Sequence, residues 1–159
     1  MDTDNVKQVS SLSELLEIKA KDNICITADI DCEGQVIPYI TEMFRGTIEG
    51  NNHTISNLTV SDDVWGDEQS IALFHYLSHA TISNLHFKNV RFEIDKNGYT
   101  PRIAGLCYEC GASTLENVSM ELTTSFNEEV ALIYDANSVK AFDLAMTCNG
   151  KSVETIMNM

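Results

Sequence analysis

The chain is short of positive charge. Ten Lys and Arg stand against 24 Asp and Glu, for a formal net charge of −14. No Lys or Arg falls between Arg45 and Lys88, or between Arg102 and Lys140. Such a surface repels nucleic acid, which excludes direct nucleic-acid binding and favours a basic partner. No apolar run reaches the length of a membrane-spanning helix, so a membrane role is not expected. Met1 to Lys7 holds no basic segment followed by an apolar one, so the expectation is a cytoplasmic chain without a secretory signal. The five cysteines (Cys25, Cys32, Cys107, Cys110 and Cys148) are odd in number and show no disulfide framework. Free thiols fit a reducing compartment. The N-x-S/T triplets at Asn52, Asn57 and Asn117 are then by-products of sequence repetition, not glycan acceptors. A phosphate loop, a nucleophile elbow and an aromatic-basic surface are all missing. No catalytic residue, cofactor or metal is assigned.

What the chain does have is a phrase that returns. Thr54-Ile55-Ser56-Asn57-Leu58-Thr59-Val60 recurs as Thr81-Ile82-Ser83-Asn84-Leu85-His86-Phe87. It recurs again as Thr114-Leu115-Glu116-Asn117-Val118-Ser119-Met120, and in worn form as Lys140-Ala141-Phe142-Asp143-Leu144-Ala145-Met146. A second phrase precedes the later copies: Ile71-Ala72-Leu73-Phe74, Ile103-Ala104-Gly105-Leu106 and Val130-Ala131-Leu132-Ile133. Repetition on this scale marks a solenoid. With 43% apolar residues the chain has enough for one packed domain of 159 residues.

The fold class read from these patterns is all-β: a short right-handed parallel β-helix of about four coils. Residues 10–21 are assigned to an N-terminal capping helix, because Ser11 and Glu14 form a capping box ahead of Leu12, Leu15 and Leu16. Residues 23–146 form the coils, opening with the alternation Ile24, Ile26, Ala28 and Ile30. Residues 147–159, with the Asn149-Gly150 turn, form a C-terminal cap or a dimerisation segment. Asn57, Asn84, Asn117 and Asp143 are assigned to one structural corner ladder, since Asn tolerates left-handed backbone and stacked amides bond along a stack. A β-sandwich is the alternative, but it does not explain why the copies keep their internal register.

The order of a short helix, the strand Ile24 to Asp31, and Phe44-Arg45-Gly46-Thr47-Ile48-Glu49-Gly50-Asn51-Asn52-His53-Thr54-Ile55-Ser56-Asn57-Leu58 resembles bacterial β-helix proteins with GLUG-type repeats. The resemblance runs over residues 10 to 120. It implies a pectin-lyase-like right-handed parallel β-helix and, through the secreted, adhesive character of that family, a surface module of a larger protein. The shortness of this chain and its free cysteines depart from that pattern.

Function is expected where the repeat is interrupted. The insertion Ser61 to Ser70 places Trp65 among Asp62, Asp63, Asp67 and Glu68, a candidate hot spot for a basic partner. Glu116, Glu121, Glu128 and Glu129 extend the acidic surface. The expected activity is therefore non-enzymatic: an inhibitor that occupies the basic, nucleic-acid-binding surface of a partner protein by imitating DNA charge, of the kind phages and mobile elements use against host defence. A homodimer through the C-terminal end is a further expectation. The alternatives are the adhesive surface module that the resemblance implies and a carbohydrate-active enzyme, but for the enzyme Arg45, Arg91 and Arg102 sit in no motif beside the acids. Cys107-Tyr108-Glu109-Cys110 has half-zinc or redox spacing, set against ordinary core packing. His75 and His79 are not on a predicted helix, so their spacing does not make them ligands.

Overall fold

The fold comes from a computed structural model, which describes residues 6–36, 43–61, 70–93, 102–124 and 130–156. The elements run β1 (Val6–Val9), α1 (Leu12–Leu15), β2 (Asn23–Ile26), β3 (Ile30–Asp31), β4 (Thr47–Ser56), β5 (Thr59–Ser61) and β6 (Ser70–Ser78). They continue β7 (Thr81–Glu93), β8 (Arg102–Gly111), β9 (Thr114–Thr124), β10 (Val130–Asn137), β11 (Lys140–Cys148) and β12 (Lys151–Ser152). The chain is all-β, in parallel-rich sheets. The first sheet has the order β1-β2-β4-β7-β9-β11-β12, with β3 beside β4 and β5 beside β7. The second has the order β10-β8-β6. Among the described residues only the β11–β12 pairing is antiparallel. From β6 to β11 the chain visits the two sheets in turn, because parallel neighbours cannot be joined by a tight hairpin.

The register stacks like on like. Thr47, Thr81, Thr114 and Lys140 lie side by side on the outer face. Ile48, Ile82, Leu115 and Ala141 form the next column, facing inward. Further along the same strands Ile55, Phe87, Met120 and Met146 make another buried column. Gly105 of β8 shows that the sheets share one core. A Cβ at that position would lie 2.6 Å from Met120 Sδ and 3.1 Å from Met146 Cε, so glycine lets the second sheet close on the methionines of the first. Residues 103–107 of β8 and 130–134 of β10 are buried without a break. Continuous burial of this kind is the mark of parallel strands covered on both faces.

The first sheet bends where a residue takes left-handed backbone. Asn57, Asn84, Asn117 and Asp143 all do so, with φ of 61°, 54°, 54° and 53°. They do not make one ladder, which corrects the sequence expectation. The pairings Phe142–Glu116 with Leu144–Val118, and Ser83–Glu116 with Leu85–Val118, put Asn84, Asn117 and Asp143 in one column. Asn57 lies one corner further along, beside Asn89, because Ile55 pairs with Phe87 and Ser56 with Lys88. The first copy of the phrase therefore stacks on residues 86–92, not on the second copy. The physical reason is that both corners of a rung ask for the same local pattern: an inward apolar residue, an outward polar one, a left-handed Asn, then another inward residue. In β4 the first corner is instead made by Gly50, Asn51 and Asn52. A Cβ on Gly50 would run into the Asn84 backbone carbonyl. A third column of left-handed residues (His79, Ala112 and Ser138) links the second sheet back to the first.

Both ends differ from expectation in extent. The helix is a single turn, Leu12–Leu15, not 10–21. Its cap is the expected one: Ser11 is extended (φ −143°, ψ 162°) and its Oγ accepts the Glu14 N–H at 3.4 Å. The Glu14 carboxylate accepts from the Ser10 N–H at 3.1 Å rather than from the cap residue's own. The turn ends early because Asp22 captures the Lys19 N–H at 2.8 Å and directs the chain into β2. A strand unforeseen in the sequence, β1, precedes the helix and pairs with β2. At the far end Asn149 (φ 52°) and Gly150 (φ 85°) form the hairpin turn that joins β11 to β12. Ile156 then bridges Ile133 at the free edge of β10.

Candidate functional surface

Two hydrogen-bonded polar ladders run up the corners. In one, Asn117 Nδ2 donates to Asn84 Oδ1 at 3.0 Å, and Asn84 Nδ2 donates to the Glu49 carboxylate at 3.1 and 3.2 Å. In the other, Asn89 Nδ2 donates to Asn57 Oδ1 at 2.6 Å, and Asn57 Nδ2 donates to Asp31 Oδ1 at 2.9 Å. Each ladder thus starts on a carboxylate. The Asn57 amide first, then the Glu33 N–H, holds the Asp31 carboxyl below its usual range. The first ladder stops at Asp143, whose carboxylate has no hydrogen to donate to the next amide. These side chains tie rungs together and are occupied in doing so.

His86 extends that network outward. Its Nε2 lies 3.4 Å from Asn52 Oδ1, which also accepts from Asn117 Nδ2 at 2.9 Å. An oxygen already serving as acceptor orients the imidazole Nε2–H, leaving Nδ1 to accept from the Ser119 hydroxyl at 2.7 Å. The pair stands on the outer face of a paired strand. The N–H groups around Ser119 are engaged in the β7–β9–β11 ladder, so they offer no oxyanion cradle. The arrangement is a cross-strand tie. A second tie joins His53 Nδ1 to Asp29 at 3.2 Å. The Thr54 N–H, and after it His53, lowers the Asp29 pKa.

The cysteines are buried, apart from half-exposed Cys25. Cys107 donates to the Glu109 carbonyl at 2.8 Å. Burial pushes the Cys107 thiol well above its ordinary pKa, and it also pushes Cys32 up to about 11 and Cys148 upward. The Cys107 thiol beside it lowers Cys110. Among the described residues no three His, Cys, Asp or Glu side chains are grouped to hold a metal. His79 is a left-handed corner residue whose Nδ1 meets Ser78 Oγ at 3.0 Å. His75 is a residue of β6.

What remains is charge on the outer faces. Asp62, Asp63, Trp65, Asp67, Glu68, Glu128 and Glu129 lie outside the described residues. Glu116 and Glu121 project from β9, both exposed, but on the outer sides of different segments of the strand. In its column Glu116 is flanked by Ser83 and Phe142. Sequence reasoning missed a closer pair. Glu109 of β8 stands directly beside Asp135 of β10, both exposed, with Tyr76 of β6 on the other side of Glu109. Adjacent strands lie about 4.8 Å apart, so two like charges in register oppose folding. Among the described residues the ion pairs are Lys7–Asp22, His53–Asp29 and Arg91–Glu93. None reaches Glu109, Asp135, Glu116 or Glu121. The missed signal was a spacing: Glu109 and Asp135 follow the repeated Ile-Ala-Gly-Leu and Val-Ala-Leu-Ile phrases by nearly the same interval. No helix is long and apolar enough to cross a membrane among the described residues. No protein-family model, curated protein or solved structure matches the chain.

Proposed function

We propose that this chain is a right-handed parallel β-helix that binds protein through its acidic outer faces, without catalysing a reaction. The winding direction follows from the handedness of parallel crossovers. One observation carries the functional reading: the in-register pair Glu109 and Asp135 is exposed and, among the described residues, has no cation within ion-pair distance. Rigid strands hold both charges in place, so a basic partner gains their field without ordering any flexible side chain. The partner class is a basic protein surface that handles nucleic acid, the chemistry most responsive to a dense, fixed array of negative charge. The cytoplasm is the proposed setting.

The test is capture of proteins from a cell lysate by the immobilised chain. Native chain should retain basic nucleic-acid-binding proteins at low salt, and release them on added salt or duplex DNA. The Glu109→Lys, Asp135→Lys double variant should retain far less of the same proteins. Retention of no such protein by native chain at low salt overturns the proposal, as does retention that duplex DNA and the double variant leave untouched.

A further inference from the structure

We infer that the C-terminal end of the stack is a contact surface for a second copy of this chain. The observation is a set of columns that lose their cover at the last rung. Leu85 and Val118 are 2% and 0% exposed, yet Leu144, next in the same column, is only half-buried. Ile82 and Leu115 are both 0% exposed, and Ala141 beside them is again only half-buried. Beside Ala141, in the outward-facing column of Ser83 and Glu116, Phe142 is 55% exposed, the most open large apolar side chain among the described residues. Val139, Val153 and Ile156 pack on the core and are also only partly covered. Beyond β11, β12 pairs with Thr147 and Cys148, and the Val153 N–H reaches the Met146 carbonyl at 3.1 Å, so among the described residues Lys140 to Ala145 have no backbone on their outer edge. An open apolar edge of this kind is a liability unless something covers it.

Charge identifies the occupant. The chain carries −14 overall, but the stretch 140–156 holds two cations, Lys140 and Lys151, against two anions, Asp143 and Glu154. A basic partner gains nothing from a balanced surface. A second copy brings the same balanced set and the same apolar strip. A two-fold axis sets this balanced patch of one copy against the same patch of the other, which is the isologous arrangement that closes at two. Self-repulsion between two chains of like sign is least at this face, and added salt weakens what repulsion remains. Pairing should therefore strengthen with salt, whereas binding through the acidic faces should weaken. The two readings fail independently.

The experiment is the mass of the full chain in solution across concentration, at low and high salt, by sedimentation equilibrium. Native chain should move from monomer to dimer with concentration, at lower concentration in high salt. Phe142→Glu places a charge on an already exposed position and should raise the dimer dissociation constant about tenfold or more. Leu16→Glu, at the opposite end and also exposed, should dimerise as native does. Circular dichroism on both variants confirms that each is folded, and Phe142→Ala repeats the test without added charge. A native chain that stays monomeric throughout overturns the inference. So does a folded Phe142→Glu variant that dimerises like native. Mass rising beyond the dimer, with Leu16→Glu as its inhibitor, would mean head-to-tail stacking and would also overturn it.

Discussion

The two ends of the molecule face the same problem and meet it differently. At the N-terminal end the chain covers itself. Strand β1 lies against β2, and Leu12, Leu15 and Ile18 lean from the turn that follows onto the core. Lys7 reaches Asp22 at 3.0 Å across the base of that turn. At the C-terminal end the returning tail reaches only part of the rung, touching Met146, Thr147 and Cys148 on one sheet and Ile133 on the other. A stack of strands leaves two open faces; here a helical turn packs over the first, and a returning tail lies over part of the second. The lesson is that burial in a column depends less on the residue than on whether another rung follows it.

Two leucines of one column give the largest expected effect. Leu85→Ala removes a side chain 2% exposed with a rung on either side, and should cost about 2–5 kcal/mol in urea denaturation. Leu144→Ala, the same change on the terminal rung, should cost about 1 kcal/mol, because a half-covered side chain loses less burial. Equal costs would break the comparison. At the other end, Ser11→Ala removes the oxygen that caps the helical turn and should lower stability by about 1 kcal/mol. The change should be read at low protein concentration, where any dimer is absent.

Acid should sharpen the contrast further. Ser10 above all, followed by Ser11, holds Glu14 below its ordinary pKa, and Asp29 and Asp31 are lowered by the bonds already described. A carboxyl whose folded pKa lies below its unfolded one adds stability that is complete above the unfolded value of about 4. That stability is lost as pH falls through the folded value. All three groups belong to the first rungs, so amides of β2 and β3 should lose exchange protection on acidification before those of β7 and β9. Asp31→Asn should make the protection of β3 less sensitive to pH below about 4. Simultaneous loss everywhere would show that the end does not open on its own. The smallest effect concerns thiols. Cys25 is the one cysteine not buried, so a thiol reagent should modify it first in the native chain and reach the other four only on unfolding.

Much of this fold was legible in the residues. The strand class, the left-handed corners at Asn57, Asn84, Asn117 and Asp143, the Ser11 cap and the Asn149-Gly150 turn each follow from local stereochemistry, and local stereochemistry is what a sequence states. The phase of the first repeat was not legible. Thr54-Ile55-Ser56-Asn57 and Thr81-Ile82-Ser83-Asn84 look alike because successive corners obey one rule, and only pairing between rungs distinguishes them. Strand β1 was hidden for a related reason: Val6-Lys7-Gln8-Val9 has no pattern of its own and becomes a strand by lying beside Asn23 to Ile26. The acidic character was plain from composition, but the Glu109–Asp135 neighbourhood needed the register of β8 on β10. The outward place of Phe142 also needed the register, which sets it in one column with Ser83 and Glu116.

The contrast between the ends is tested most directly by amide exchange on the full chain at low and high protein concentration. β1 and β2 should exchange at the same rate in both samples. Ala141 and Leu144 of β11 should exchange more slowly in the concentrated one, because a second copy covers their edge. Equal exchange of β11 at both concentrations, or slowing at β1 instead, would contradict it.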